Sequence, residues 1–162
     1  MAKHRVSRLP GVEAAYIAGL VDGEGTIALT RKYRHQNRQL TLSISSTEPA
    51  MLKYVLRTIG AGRITNKRTY RSNHSPSYTY AISNRQALDV IEQIFPYLRS
   101  YKLKRAKLVL NEYIRLTPRN GKYSPEMARA RERFICRFLA TRAHPVLKPA
   151  QKRIPKAQQT RK

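Results

Sequence analysis

The stretch Gln39-Leu40-Thr41-Leu42-Ser43-Ile44-Ser45 alternates strictly between polar and apolar residues. Successive side chains on a strand point to opposite faces, so Leu40, Leu42 and Ile44 share one side and Gln39, Thr41, Ser43 and Ser45 the other. A strand of this kind needs cover on one face only; the other must meet solvent or a ligand. The segment from Thr26 to Arg34 is expected to pair with it as a hairpin, with the loop near His35-Gln36-Asn37. A second hairpin is expected from Arg63 to about Tyr70 and from Tyr78 to Ser83, with Ser72 to Pro76 in its loop.

Helical period flanks both hairpins. Pro10 opens a helix running roughly to Val21, which Gly23 and Gly25 are expected to stop. Thr47 is expected to cap a helix reaching Ile59, with Leu52, Val55, Leu56 and Ile59 at core spacing and Gly60 at its end. Asn84 caps an expected helix to Phe95, closed by Pro96. A longer helix spans about Tyr101 to Leu116, with Leu103, Ala106, Leu110 and Ile114 inward, and Ser124-Pro125 starts a last one to about Ala140. The order helix, hairpin, helix, hairpin, helix, helix, helix implies an α+β fold, four antiparallel strands with helices over one face. Residues 1–140 form one expected domain. From Thr141 onward the chain has three prolines, seven basic residues and no acid. That composition predicts an extended tail over 141–162, ordered only on a partner.

The chain carries 33 Lys+Arg against 9 Asp+Glu, a formal net charge of +24. Self-repulsion on this scale opposes a compact fold unless a polyanion neutralises it, and nucleic acid does so through its phosphates. Charge alone suits a ribosomal or histone-like protein equally well. There is no apolar run long enough to span a membrane and no signal-peptide core, so an intracellular location is expected: cytosol or nucleoid, or an organelle matrix. The single Cys136 excludes an intramolecular disulfide framework and a Cys-based zinc site, and is expected to be a packed core thiol. Four scattered histidines, His4, His35, His74 and His144, show no metal-ligand spacing. Between Thr26 and Leu88 eleven Lys/Arg face one acid, Glu48, so the uncovered sheet face is expected to be basic. Strands of this width fit the DNA major groove. The outward residues expected to contact DNA are Thr30, Lys32, Arg34, Gln39, Thr41, Ser43, Ser45, Thr65, Lys67, Ser77 and Thr79.

The run Ile17-Ala18-Gly19-Leu20-Val21-Asp22-Gly23-Glu24-Gly25 joins a small-residue helix to two acids at its end. It resembles the LAGLIDADG signature at all nine positions, with Ile, Val, Gly and Glu as replacements at the first, fifth, seventh and eighth. The resemblance extends through the following helix–strand order, over roughly residues 10 to 116. It implies the LAGLIDADG homing endonuclease fold, an αββαββα core with a DNA-binding sheet and further C-terminal helices. With one motif copy it implies a homodimer that cuts both strands of a long, near-palindromic, intron-associated site, leaving short 3′ overhangs. Ala14, Ala15, Ala18 and Gly19 lack bulk, so two such helices could meet backbone to backbone. The resemblance makes Glu24, helped by the carbonyl of Gly23, the ligand for Mg²⁺ (or Mn²⁺, or Ca²⁺ in a non-cleaving complex), and Asp22 a support for the helix end.

The stretch Pro96 to Ala106 is similar to the family segment bearing an active-site lysine, with Lys102 the best match and Lys104 the alternative. Glu48 falls where related enzymes place a polar residue that positions solvent. A family arginine meets Leu52 here, with Lys53 adjacent, which is a departure from the pattern. An RNA maturase acting on intron RNA, or a non-catalytic DNA- or RNA-binding protein, is the alternative reading on the same fold.

Overall fold

A computed structural model describes residues 5–66, 76–119 and 121–142. The element order is α1 (Gly11–Glu24), β1 (Gly25–Thr30), β2 (Gln39–Ser46), α2 (Pro49–Ile59), β3 (Arg63–Asn66), β4 (Tyr78–Ser83), α3 (Asn84–Ile94), a 3-10 turn (Phe95–Tyr97), α4 (Lys102–Glu112) and α5 (Pro125–Ala140). The four strands form one antiparallel sheet in the order β1-β2-β4-β3, so each hairpin contributes one central strand. The α+β architecture and its αββαββα core therefore match the expectation.

The alternation in β2 is realised as read. Leu40, Leu42 and Ile44 are fully buried, and Gln39, Thr41, Ser43 and Ser45 point to the uncovered side. Ile27 and Leu29 of β1 and Tyr80 and Ile82 of β4 complete the inner face. Against it pack Ile17 and Val21 of α1, Leu52 and Val55 of α2, and Ile91 and Ile94 of α3. The segment before α1 is tied to this layer by Ser7 N donating to the Ile59 carbonyl at 2.9 Å and Leu9 N donating to Gln93 Oε1 at 2.7 Å.

Several boundaries differ from the sequence expectation. Gly23 does not stop α1, which continues through Glu24; the helix yields at Gly25, where the backbone becomes extended. A Cβ on Gly25 would lie 2.5 Å from Val21 Cα and 3.1 Å from the Ser43 carbonyl oxygen, so only glycine lets β2 approach the helix end. The first strand ends at Thr30, leaving 31–38 as a longer loop that holds Lys32 and Arg34. Glu48, not Thr47, precedes α2, and its side chain makes no cap hydrogen bond. Gly60 ends α2 as expected, at φ +74°. Ser83, not Asn84, precedes α3, and Asn84 sits at φ +56°. Helix α5 starts as read, with Ser124 Oγ accepting from Met127 N at 3.2 Å.

The inward face of α4 is rotated from the expected one. Lys102, Ala106 and Val109 are buried, followed by Tyr113 and Leu116, while Ile114 is exposed. The apolar periodicity alone could not place a lysine on the inner stripe. Cys136 is exposed rather than packed, because α5 buries Arg131, Phe134 and Phe138 on its other side. Lys67, the expected extension of β3 to Tyr70, the loop of the second hairpin from Ser72 to Ser75, and the tail from residue 143 onward lie outside the described residues. Among the described residues no helix is long and apolar enough to cross a membrane.

Gly25→Ala is expected to lower the unfolding free energy by about 1–3 kcal/mol through backbone overpacking. Urea denaturation checks this; an unchanged midpoint would contradict the close approach of β2 to α1.

Candidate active site and nucleic-acid interface

Helix α1 delivers two acids to its own C-terminus, where the helix dipole disfavours negative charge. Asp22 is compensated. Its carboxylate accepts from Arg99 N at 2.6 Å, from Ser100 N at 3.2 Å and from Ser100 Oγ at 2.5 Å. Those donors lie in the turn just before α4, and Ser100 Oγ accepts in turn from Lys102 N at 3.2 Å. Lys102 returns the connection: its ammonium donates to the Val21 carbonyl at 2.7 Å and to the Asp22 carbonyl at 2.8 Å. It thus gives a donor to the Asp22 carbonyl at the helix end and adds a second one to the Val21 carbonyl, which already accepts from Gly25 N. Burial pushes the Lys102 ammonium below the ordinary lysine range, while Asp22 and Glu24 nearby oppose that shift.

Glu24 differs from Asp22 in its partners. It is the last residue of α1, it is exposed, and among the described residues it makes no hydrogen bond or ion pair. An acid held at the unfavourable end of a helix with no direct partner is available to a cation. Among the described residues no three of His, Cys, Asp and Glu come together as a metal site.

Apart from Glu13, which accepts from the Tyr54 hydroxyl, and the two acids at its end, helix α1 carries no charged side chain. Ala14, Ile17, Ala18 and Val21 are buried in the chain's own core. The opposite stripe carries Val12, 82% exposed, Tyr16, 44% exposed, then Gly19 and Gly23. A helix apolar on both its inner and its outer stripe belongs in an interior, so the outer stripe of this one lacks its cover. A Cβ on Gly19 or Gly23 would meet nothing within 4 Å, so both glycines leave the backbone itself at the surface.

Glu24 leads directly into β1, and so into the uncovered face of the sheet. The register sets Thr30 beside Gln39, Thr41 beside Ser83, Ser43 beside Ala81, and Ser45 beside Thr79. Thr65 and Arg63 of β3 continue these rows beyond β4. Hydroxyls bridge the strands, Thr30 to Thr41 at 2.8 Å and Ser45 to Thr79 at 2.9 Å. Asn84 Nδ2 donates to Gln39 Oε1 at 3.3 Å. The face is therefore an ordered array of short groups that both donate and accept hydrogen bonds.

The sequence from residue 17 to residue 115 matches the family model described as LAGLIDADG endonuclease. The chain belongs to the LAGLIDADG endonuclease family. No curated protein matches the sequence. Among solved structures, the homing endonuclease I-CvuI in complex with its target is similar at a TM-score of 0.66 and 21% identity, over 82% of this chain and 83% of that one. I-CvuI bound to the I-CreI target in the presence of Mg²⁺ gives 0.63 and 21%, over 85% and 86%. The archaeal intron-encoded homing endonuclease I-Vdi141I complexed with DNA gives 0.57 and 13%, over 83% and 86%. At these identities the likeness is one of fold.

Within this LAGLIDADG fold the residues singled out from sequence fall into separate groups. Glu24, Gly23, Asp22 and Lys102 meet at the end of α1, whereas Lys104 is exposed on α4. Lys102 is buried and engaged by carbonyls, so in this structure it caps α1 rather than presenting a free ammonium. Glu48 is exposed beyond β2, with its backbone N donating to Ser46 Oγ at 3.0 Å; Leu52 is core and Lys53 is exposed. Ala14 and Ala18 cannot meet a second helix because their own core covers them; of the four small residues expected there, Gly19 is exposed and Ala15 half-buried. Thr30, Gln39, Thr41, Ser43, Ser45, Thr65 and Thr79 lie on the uncovered face, with Ser77 just before β4. Lys32 and Arg34 belong to the loop, where the Lys32 ammonium lies 5.0 Å from the Tyr33 ring centre. Sequence reasoning missed Arg63, Thr26 and Ser83 on that face, although strand alternation carried to its ends includes them. It also missed Ser100, whose pairing with Asp22 spans 78 residues and leaves no local signal.

Asp22→Ala is expected to destabilise the fold by roughly 1.5–3 kcal/mol, the scale of hydrogen bonds to a charged group. Glu24→Gln is expected to change stability by less than about 0.5 kcal/mol, as for an exposed substitution. Parallel chemical denaturation of the two variants checks the division of labour; equal losses would contradict it.

Proposed function

We propose that the chain is a site-specific, divalent-metal-dependent DNA endonuclease that works as a homodimer and cuts both strands of a near-palindromic site. The observation that carries this reading is Glu24, exposed and without a hydrogen-bond or ion-pair partner among the described residues, at the end of a helix whose outer stripe is apolar. Two α1 helices meeting along Val12, Tyr16, Gly19 and Gly23 would cover that stripe and bring two Glu24 carboxylates to the symmetry axis. The sheets of the two copies would then extend away from the axis on both sides, which suits a two-fold DNA site. The neighbours' own descriptions, as enzymes bound to DNA in the presence of Ca²⁺ or Mg²⁺, support the choice of substrate and cation.

Carboxylate and carbonyl oxygens are the hard donors that Mg²⁺ takes, so Glu24 and the Gly23 carbonyl fit such an ion. When bound, the cation supplies charge stabilisation at the attacking and leaving oxygens of phosphodiester hydrolysis. Asp22 keeps the α1 terminus seated on α4 and is not itself a ligand in this scheme. Lys102 offsets negative charge at the same helix end from beneath. The hydroxyl array on the sheet, with Gln39 and Arg63, reads base edges directly or through water. Glu48 keeps the role of positioning solvent near the cleavage site, and Ser77, Lys32, Arg34 and Lys67 are assigned to the periphery of the DNA-binding surface. Residues 1–140 act as the endonuclease unit, and 141–162 as a basic tail that lies along nucleic acid.

Cleavage of a library of randomised or intron-less sites tests this reading. Double-strand cuts at one recurring sequence are expected with Mg²⁺, lost with EDTA and lost in Glu24→Gln while DNA binding survives. Gly19→Leu is expected to abolish cutting without lowering the unfolding midpoint, since nothing in its own chain is displaced and leucine favours the helix more than glycine does. Tight binding by the intact protein with no cutting under any divalent metal would overturn the nuclease reading, and selective binding of intron RNA would replace it with a maturase.

A further inference from the structure

An open cavity of about 940 Å³ lies where β2 begins, β4 ends and the α4–α5 connection crosses. Its lining includes five arginines, Arg5, Arg38, Arg85, Arg119 and Arg131, against a single acid, Asp89. None of the five forms an ion pair among the described residues, where the ion pairs use Arg115, Arg129 and Arg137. Three of them are fixed by carbonyl oxygens instead. Arg131 donates to Leu116 at 2.8 Å and Arg38 at 2.5 Å, Arg85 to Thr117 at 3.2 Å, and Arg38 to Leu29 at 3.0 Å. These bonds orient the guanidinium groups without neutralising them. Arg131 is only 8% exposed and lies over the Tyr123 ring, so its charge is held largely out of water with no anion beside it. Arg5 and Arg119 are exposed and make no hydrogen bond through their side chains among the described residues.

Guanidinium forks match phosphate oxygens in geometry as well as charge. Gln39 and Asn84, which stand at the edge of the uncovered sheet face, also line the cavity, so it opens beside the proposed base-reading surface. It opens at the far end of that face from Glu24. Strand β1 starts next to Glu24 and finishes at Thr30, which pairs with Gln39. Its six residues span roughly 20 Å at about 3.4 Å each.

We propose that this cavity is a phosphate clamp that grips DNA backbone phosphodiesters in the outer part of each half-site, away from the scissile bonds and irrespective of base sequence. The proposal rests on the chain being a DNA binder. Phosphate contacts position a protein on the duplex, whereas base contacts specify the site, so removing the clamp weakens every sequence alike.

The test is fluorescence-anisotropy titration of the full chain with a long mixed-sequence duplex over a series of NaCl concentrations. Arg5→Gln/Arg119→Gln is compared with Arg57→Gln, an exposed arginine on α2 that does not line the cavity. The double variant is expected to make the plot of log affinity against log salt shallower by about 0.9 for each phosphate it no longer neutralises, roughly 1–2 in all. Arg57→Gln is expected to leave the slope unchanged, and shortening the duplex at its ends is expected to erase the difference between wild type and the double variant. Equal slopes for wild type and the double variant would overturn the clamp while leaving DNA binding intact. A similar change per charge in Arg57→Gln would overturn it in favour of bulk charge. Failure of the wild type to bind any duplex would overturn the DNA reading beneath it, with RNA binding in the same assay naming the replacement. Equal slopes together with inorganic phosphate binding that the double variant loses would assign the cavity to a small free anion instead.

Discussion

Lys102 sets a buried ammonium against the carbonyl oxygens of Val21 and Asp22, while the Asp22 carboxylate holds the backbone of Arg99 and Ser100 at the start of the same helix. Each helix thus caps the other: α4 supplies the cation that the α1 C-terminus needs, and α1 supplies the anion that orders the turn into α4. The rest of the molecule is registered from this joint. Helix α4 then runs along the sheet to Tyr113, whose hydroxyl accepts from Leu40 N at 3.1 Å and donates to Asn84 Oδ1 at 3.2 Å. The acid end and the far end of the sheet are therefore connected through one rigid helix. Glu24, the last residue of α1, inherits its position from this joint.

Two surfaces are left incomplete by this packing, and they meet at Glu24. The sheet is covered by helices on one face and carries hydroxyls, amide and arginine groups on the other. Helix α1 is covered on one stripe and bare on the opposite one, with glycine backbone at its surface. A chain with a net charge of +24 gains nothing in stability from exposing either surface to water alone. In the proposed assembly a second copy would cover the apolar stripe and a polyanion the basic sheet face. The arginine cavity lies at the outer end of the same sheet face, beyond the hydroxyl rows.

The sequence was most informative where a short-range period governs structure. Strict alternation placed the faces of β2 and β4 and most of the hydroxyl array without error in register, because a slip of one residue would have buried Ser43 and exposed Leu42. The nine-residue motif located the acid end and the family. Legibility failed where distant contacts override local preference. Gly23 looks like a helix stop, yet α1 continues because Lys102, some eighty residues later, caps its carbonyls. Ala14 and Ala18 look like interface residues beside Gly19, but the helix rotates them into its own core and turns Val12 and Tyr16 outward. Cys136 reads as core from its apolar neighbours, whereas α5 packs on Phe134 and Phe138 with the cysteine on the other side. The clustering of Arg5, Arg38, Arg85, Arg119 and Arg131 draws on separate segments far apart in the chain and has no trace in any local pattern.

The central claim is that catalysis requires two copies, each contributing one Glu24 across paired α1 helices. Native mass spectrometry of the protein on a duplex that it cuts, with Ca²⁺ in place of Mg²⁺ to hold the uncleaved complex, measures this directly. The account predicts two chains on each duplex and no stable complex with one. A single chain per duplex in the population that goes on to cleave when Mg²⁺ is supplied would contradict it.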